Sequence, residues 1–131
     1  MPIEPGVVGE VQHRVTPETF ASQWANPGIE VLATPVVVGW LEAAAIRAVQ
    51  PFLEPGQGSV GTMVSMKHLA ATPAGMTVRA TATVTEVDGR RIRFSVEAHD
   101  EKEKIAEGEH ERFIVNMAKF LDRVAQKAQP Q

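Results

Sequence analysis

The sequence predicts an α+β fold in which an antiparallel sheet wraps round one apolar helix, and three observations carry that prediction. A single long helical pattern, Pro35 to Val49, is apolar nearly all the way round, with Val36, Val37, Val38, Trp40, Leu41, Ile46 and Val49 on every side. Four stretches with strand character follow it between Val60 and Val115. An Asp88-Gly89 pair joins two of them as a tight hairpin. A helix with no polar face has to be covered, and the run of strands is what the chain offers to cover it. With 131 residues, the chain suits a single domain over residues 1–131, long enough to bury a core without staples.

Each element has its own signal. Val7, Val11 and Val15 share one side of a first strand, Val7 to Val15. Thr16-Pro17 then starts a helical turn, with Thr16 as cap and Pro17 first inside. Ala21 to Ala33, holding Trp24, Asn26, Pro27 and Gly28, reads as an irregular loop. Thr34-Pro35 repeats the cap-then-proline signal at the head of the long helix, which stops at Gln50-Pro51 because a residue before proline avoids the helical region. The next strand is Val60 to Leu69, closed by the turn at Pro73-Ala74-Gly75. In Met76 to Val87, Val78, Ala80, Ala82 and Val84 alternate with polar residues, and from Arg91 onward Ile92, Phe94, Val96 and Ala98 do the same. Ile105 to Val115 is a more polar strand. Asn116 then caps a short amphipathic helix carrying Met117, Phe120, Leu121 and Val124. A sheet wrapped round a central helix in this way is the hot-dog arrangement, whose open edge strand leads to the expectation of a homodimer.

Composition narrows the function classes. A net charge of −3 argues against nucleic acid as the main partner, since phosphate backbones call for a basic face. The longest apolar stretch, Val31 to Trp40, is interrupted by Thr34 and Pro35, too short to span a bilayer, so no membrane partner is expected. Met1 to Gly6 lacks the basic and apolar regions of a signal peptide, and there are no cysteines for disulfides or thiolate metal sites. The expected location is cytoplasmic, with no metal and no cofactor.

Glu42 is the residue that most demands an explanation. It is the one acid within the apolar helix, and an unpaired buried carboxylate costs several kcal/mol on an order-of-magnitude scale. Arg47 is five residues on, off the helix-face spacing of an ion pair, so a solvated Glu42–Arg47 stripe is the weaker reading. Thr34 can cap the helix. The same helix start offers N–H groups, from Val36 or Val37 because Pro35 has none, to a carbonyl oxygen that gains negative charge. His68 shares a strand face with Val64 and Met66, where a lone histidine is more often a core residue than a catalyst. His13, His99 and His110 look ordinary, and His110-Glu111-Arg112 reads as polar, exposed strand.

In the order Thr34, Glu42, His68, the first and last are set in motifs, Val31-Leu32-Ala33-Thr34-Pro35 before the helix that carries Glu42 and Lys67-His68-Leu69-Ala70-Ala71-Thr72-Pro73-Ala74-Gly75 after it. With the stretch Val84 to Asp100 and Gly108-Glu109-His110-Glu111-Arg112-Phe113, the pattern over roughly residues 30 to 116 resembles the fluoroacetyl-CoA thioesterase family. The resemblance implies a hot-dog fold, metal-independent acyl-CoA hydrolysis, and a triad of Thr34 as hydroxyl, Glu42 as acid and His68 as base. It also implies that Gly61 and Arg112 lie near the site, Gly61 allowing close approach of substrate and Arg112 shaping the pocket. The family pattern places bulky aromatics in the loop before the threonine. This chain has Ala25, Pro27 and Gly28 there, with Trp24 nearby, so a broader short-chain acyl-CoA preference is expected.

Thr34 and Glu42 are eight residues apart, or ~12 Å along one helix, beyond hydrogen-bond reach. Two antiparallel helices in a dimer could set Thr34 of one subunit opposite Glu42 of the other, which predicts two composite sites per dimer. Three chemical routes stay open: attack by Glu42, by Thr34, or by a water that Glu42 and His68 activate. Arg90, Arg91, Lys67 and Arg47 are the candidate partners of the CoA phosphates. Two rival readings are a hot-dog enoyl-CoA hydratase, whose local Asp/His motif is not found here, and a non-catalytic acyl-binding or structural dimer.

Overall fold

A computed structural model describes residues 2–130. Its elements are β1 (Val8–Arg14), the long helix α1 (Thr34–Val49), β2 (Gln57–His68), β3 (Thr77–Asp88), β4 (Arg91–His99), β5 (Lys104–Asn116) and α2 (Met117–Lys127). All the strands pair antiparallel in one sheet ordered β1-β3-β4-β5-β2, so β1 and β2 are its edges. The alternation read from the sequence decides which face is inside. Val78, Ala80, Ala82 and Val84 of β3 and Ile92, Phe94, Val96 and Ala98 of β4 are all buried. Against them α1 sets Val37, Leu41, Ala44, Ala45, Ala48 and Val49.

The three alanines let α1 lie close to the sheet, and Gly9 of β1 marks the closest approach. A methyl group there would fall on the Ala44 carbonyl oxygen and the Ala48 amide nitrogen, both backbone atoms with no freedom to turn aside. Gly9→Ala is therefore expected to lift α1 from β1 and to destabilise the fold by ~1–3 kcal/mol, read as a lower urea midpoint with an unchanged slope.

One sheet covers only one side of a helix, which corrects the expectation of a helix buried all round. Val36, Val38, Trp40 and Ala43 are only half-buried, and Ile46 is exposed. Trp40 stacks on His13 with ring centroids 4.9 Å apart. The turn after β1 is a short 3-10 helix, Pro17–Thr19, behind Thr16 as expected. The loop that follows is less irregular than its sequence suggests: it opens with a 3-10 turn, Ala21–Trp24, and Leu32 bridges back to Phe20. Asn116 caps α2 as read, its side-chain oxygen accepting the Lys119 N–H at 3.0 Å. None of α2 is buried. No described helix is long and apolar enough to cross a membrane.

Candidate active site

Thr34 is where the sequence and the structure part by one residue, and the difference is chemical. Ala33 is the cap of α1, so Thr34 takes the first helical position and Pro35 the second. The Thr34 hydroxyl is thereby released from capping, and it lies 2.7 Å from His68 Nδ1. His68 ends β2 and is half-buried. Its Nε2 is enclosed with no well-formed hydrogen bond, and with Nδ1 facing Thr34 the Ala70 backbone is left as a partial partner for Nε2. Burial, the larger effect, pushes the His68 pKa below its ordinary value, while the Ala70 backbone pulls it up. The lowered pKa favours the neutral ring, and in the tautomer with its proton on Nε2 the Nδ1 lone pair accepts from the Thr34 hydroxyl. In front of this pair is a cavity of 270 Å³ lined mostly by small and apolar residues, among them Ala21, Ile29, Val31 and Leu69, with the polar Asn26. No aromatic side chain lines it. Trp24 is 53% exposed and is not among its lining residues.

The backbone donors expected at this helix start are otherwise engaged. Val36 and Val37 N–H both donate to the Ala33 carbonyl, at 3.1 and 3.2 Å. The Val36 side chain packs against the core. Thr34 is the one residue of the first turn whose N–H has no acceptor among the described residues.

Glu42 stands elsewhere, two turns along α1, with its side chain 39% exposed. Arg112 Nη1 donates to Glu42 Oε2 at 3.4 Å. The guanidinium is itself buried and held in place: Nε donates to Ser59 Oγ at 3.0 Å and Nη2 to the Ser59 carbonyl at 2.9 Å. Burial pushes the Arg112 pKa down, and Glu42 opposes that by stabilising the cation. Gly61 of β2 pairs with Arg112 of β5 in the sheet. A β-carbon at Gly61 would meet Glu42 Oε2 at 2.9 Å and Arg112 Nη1 at 3.1 Å, so only glycine leaves both groups where they are. A second cavity, of 230 Å³, opens here between Glu42, Gly61, Thr62, Met63, Val64 and His110.

His110 overturns its sequence reading. It is 1% exposed rather than on a solvated strand, and Arg112 is 4% exposed. Its Nδ1 lies 2.7 Å from the Met63 carbonyl and its Nε2 3.2 Å from Arg112 Nη1. The missed signal was alternation: His110, Arg112 and Ile114 share a face of β5, and the β4 partners of His110 and Arg112 are the buried Phe94 and Ile92.

Within one chain the predicted residues thus form two clusters, Thr34 with His68 and Glu42 with Arg112 and Gly61, and the unpredicted His110 joins the second. Among the described residues no hydrogen bond joins the clusters. A larger depression of 380 Å³ lies around Ser65, Lys67, Glu97 and Lys104. It holds none of the predicted residues, and its Lys104 is already tied to Glu97 and Glu107.

Comparison with known proteins gives one answer. Residues 15–118 match the family model described as fluoroacetyl-CoA-specific thioesterase. The fluoroacetyl-CoA thioesterase of Streptantibioticus cattleyicolor is 48% identical over 98 residues, which are 75% of this chain and 70% of that protein. A solved fluoroacetyl-CoA thioesterase structure superposes with a TM-score of 0.91 at 37% identity, over 98% of this chain and 100% of that one. A thioesterase superfamily member from Thermus thermophilus superposes at 0.88 with 32% identity, over 96% of each chain. A hot-dog-like protein from Thermanaerovibrio acidaminovorans, 24% identical, shares the fold with a TM-score of 0.89. The sheet-wrapped helix is a hot-dog fold.

Proposed function

The chain belongs to the fluoroacetyl-CoA-specific thioesterase family, and we propose that it hydrolyses small acyl-CoA thioesters at two sites assembled between the subunits of a cytoplasmic homodimer. The observation that carries this reading is the Thr34–His68 hydrogen bond in a chain whose Glu42 cannot reach it. In the proposed dimer, α1 of one subunit runs antiparallel to α1 of its partner, so that Glu42 of each faces Thr34 and His68 of the other. Two features support that arrangement. The outer edge of β2 has no strand beside it among the described residues, and the half-covered side of α1 presents Val36, Val38, Trp40, Ala43 and Ile46. An unpaired edge of 12 residues and an apolar helix flank are surfaces that a second copy would cover.

The reaction then follows from the positions. Thr34 Oγ attacks the thioester carbon while His68 Nδ1 takes its proton, and the Thr34 N–H faces the oxygen that gains charge. The carbon–sulfur bond breaks, and the thiolate leaves with the proton that His68 returns. A water that gives its proton to the carboxylate of Glu42 then attacks the acyl-threonine ester. As the carbon–oxygen bond to Thr34 breaks, that proton passes on to the departing Thr34 oxygen, releasing the acid and restoring both the Thr34 hydroxyl and the Glu42 carboxylate. Arg112 holds one carboxylate oxygen of Glu42 and leaves the other for that water. Of the cations considered for the CoA phosphates, Arg91 is occupied by Glu111, Glu86 and Asp88, and Arg47 donates to the Glu10 carbonyl. Arg90 and Lys67 make no ion pair among the described residues, and Arg90 shares a pocket with Lys119 and Arg123.

The test is thiol release from acetyl-, fluoroacetyl-, propionyl-, butyryl- and phenylacetyl-CoA. Turnover of the small members is expected, with less contrast between fluoroacetyl and acetyl than an aromatic-lined loop would give. A folded dimer that turns over none of them would refute the reading and leave an acyl-binding or structural role.

Two further results are expected. His68 has to be neutral to serve as base, and its pKa lies below the ordinary 6.5. The pH profile of kcat/KM should therefore stay level as pH falls to that value and decline only below it; a decline that begins well above it would contradict the assignment. Gly61→Ala should displace Glu42 and Arg112 and, in a variant that remains folded, lower kcat/KM by about 10- to 100-fold. An activity equal to the native one would show that the close contacts at Gly61 are irrelevant to turnover.

A further inference from the structure

His110 is unlike the other buried groups of the core because its neighbours dictate its chemistry. On one side is the Met63 carbonyl, 2.7 Å from Nδ1, a group that can only accept. On the other is Arg112 Nη1, 3.2 Å from Nε2, a group that can only donate. Only one form of imidazole satisfies both, the neutral ring with its proton on Nδ1 and a lone pair on Nε2. The ring is fixed by more than these bonds. It is 1% exposed and stacks on Phe94 of β4 with centroids 5.8 Å apart. Met63 follows the irregularity in β2 at Thr62, where the register against β5 shifts between Gly61 and Met63. A β-carbon at Gly61 would meet His110 Cε1 at 3.3 Å, so the ring also borders the gap that glycine keeps open.

We infer that His110 is a positioning residue: a neutral imidazole protonated on Nδ1 that anchors the β2 irregularity through Met63 and holds Arg112 Nη1 against Glu42. The inference rests on the thioesterase reading for its effect on turnover, but not for the state of the ring. Arg112 has three nitrogens, and Ser59 fixes two of them, Nε and Nη2. Nη1 is left with Glu42 at 3.4 Å, a long contact, and with His110 as the closer acceptor. The guanidinium is a rigid plane, so the lone pair on Nε2, by accepting from Nη1, helps to hold that plane at the edge that faces the carboxylate. A proton on Nε2 would place an N–H against an N–H and add a positive charge beside a buried guanidinium. Burial, the largest effect, and Arg112 oppose that proton, while the Met63 bond, Glu42 and Glu111 favour it, and the net direction is downward.

Two substitutions separate the two bonds. In His110→Gln the side-chain amide oxygen reaches the place of Nε2 and can still accept from Arg112. In His110→Asn the amide nitrogen takes the place of Nδ1 and keeps the Met63 bond, but nothing accepts from Nη1. His110→Gln should retain kcat within about tenfold of native, whereas His110→Asn should lose roughly 10- to 100-fold in kcat with KM little changed, the worth of one hydrogen bond to a charged group. Equal activities of the two folded variants would overturn the positioning role. The state of the ring is read independently, from long-range ¹⁵N–¹H correlations of the native dimer at neutral pH. The Nδ1–H tautomer is the result expected. The Nε2–H tautomer or an imidazolium would overturn the inference even if no acyl-CoA were turned over.

Discussion

Glu42→Gln should reduce kcat/KM by about 10²- to 10⁴-fold, the range lost when a positioned general base is removed. In free energy that is roughly 3–5 kcal/mol of transition-state stabilisation. Folding should be spared. The Glu42 side chain is 39% exposed, its single ion pair with Arg112 is long at 3.4 Å, and glutamine has the same shape. The variant should also reveal the order of events. If Thr34 attacks first, the amide at position 42 stalls only the hydrolysis of the acyl-threonine. A burst of thiol equal to the sites present is then expected, together with a mass increase of one acyl group on the peptide holding Thr34. The same adduct on no peptide, with no burst, would mean that the carboxylate acts before the thiol leaves. That outcome would move the nucleophile from Thr34 to Glu42 or to water.

Thr34→Ala should lose activity on the same scale, about 10²- to 10⁴-fold in kcat/KM, because in the proposed reaction the hydroxyl bonded to His68 is the group that attacks. Thr34→Ser keeps that hydroxyl and should retain much of the rate, with some loss because serine lacks the methyl group that restricts its rotamer. The stability result discriminates sharply here. A threonine that caps a helix loses ~1 kcal/mol on truncation to alanine. Thr34 sits one residue inside the cap and its side chain makes no capping bond, so Thr34→Ala should shift stability by less than about 0.5 kcal/mol. A large loss of stability with intact turnover would return Thr34 to a structural role. His68→Ala should match Thr34→Ala in rate, and the double variant should be little worse than either, since the two act as one unit.

What the sequence discloses here depends on how strongly burial selects residue type. In β3 and β4 one face is wholly covered by α1, so Val78 to Val84 and Ile92 to Ala98 alternate cleanly and their register could be read. Asn116 caps α2 by a local hydrogen bond, which also leaves a local mark. Glu42 stood out as the one acid in an apolar helix, but its side chain is 39% exposed and paired with Arg112, so the burial cost expected of it does not arise within one chain. The failures share a cause, which is that tertiary geometry decided between readings that were locally equal. Thr34-Pro35 fits a helix start with threonine as cap or one residue inside, and the choice of Ala33 as cap is what frees the hydroxyl for His68. The same shift leaves the Thr34 N–H without an acceptor, while those of Val36 and Val37 are engaged. His110 and Arg112 were hidden because they are polar: alternation with Ile114 puts them on the inner face of β5, but their residue types read as solvated. Only the network they form, with Ser59, Met63 and Glu42, makes their burial tolerable.

The central claim is that an active site needs Thr34 and His68 from one chain and Glu42 from another. It is tested most directly by mixing two inactive proteins, Thr34→Ala and Glu42→Gln, after confirming that each is a folded dimer. Subunits are exchanged by mild denaturation and refolding, and thiol release is measured before and after. Random exchange makes half of the dimers mixed, and each mixed dimer holds one site with all its native groups and one with neither Thr34 nor Glu42. The expected result is recovery to about a quarter of native activity at equal subunit concentration. If the exchanged mixture remains as inactive as its parents, each site draws Thr34, His68 and Glu42 from a single chain, and the composite site is wrong.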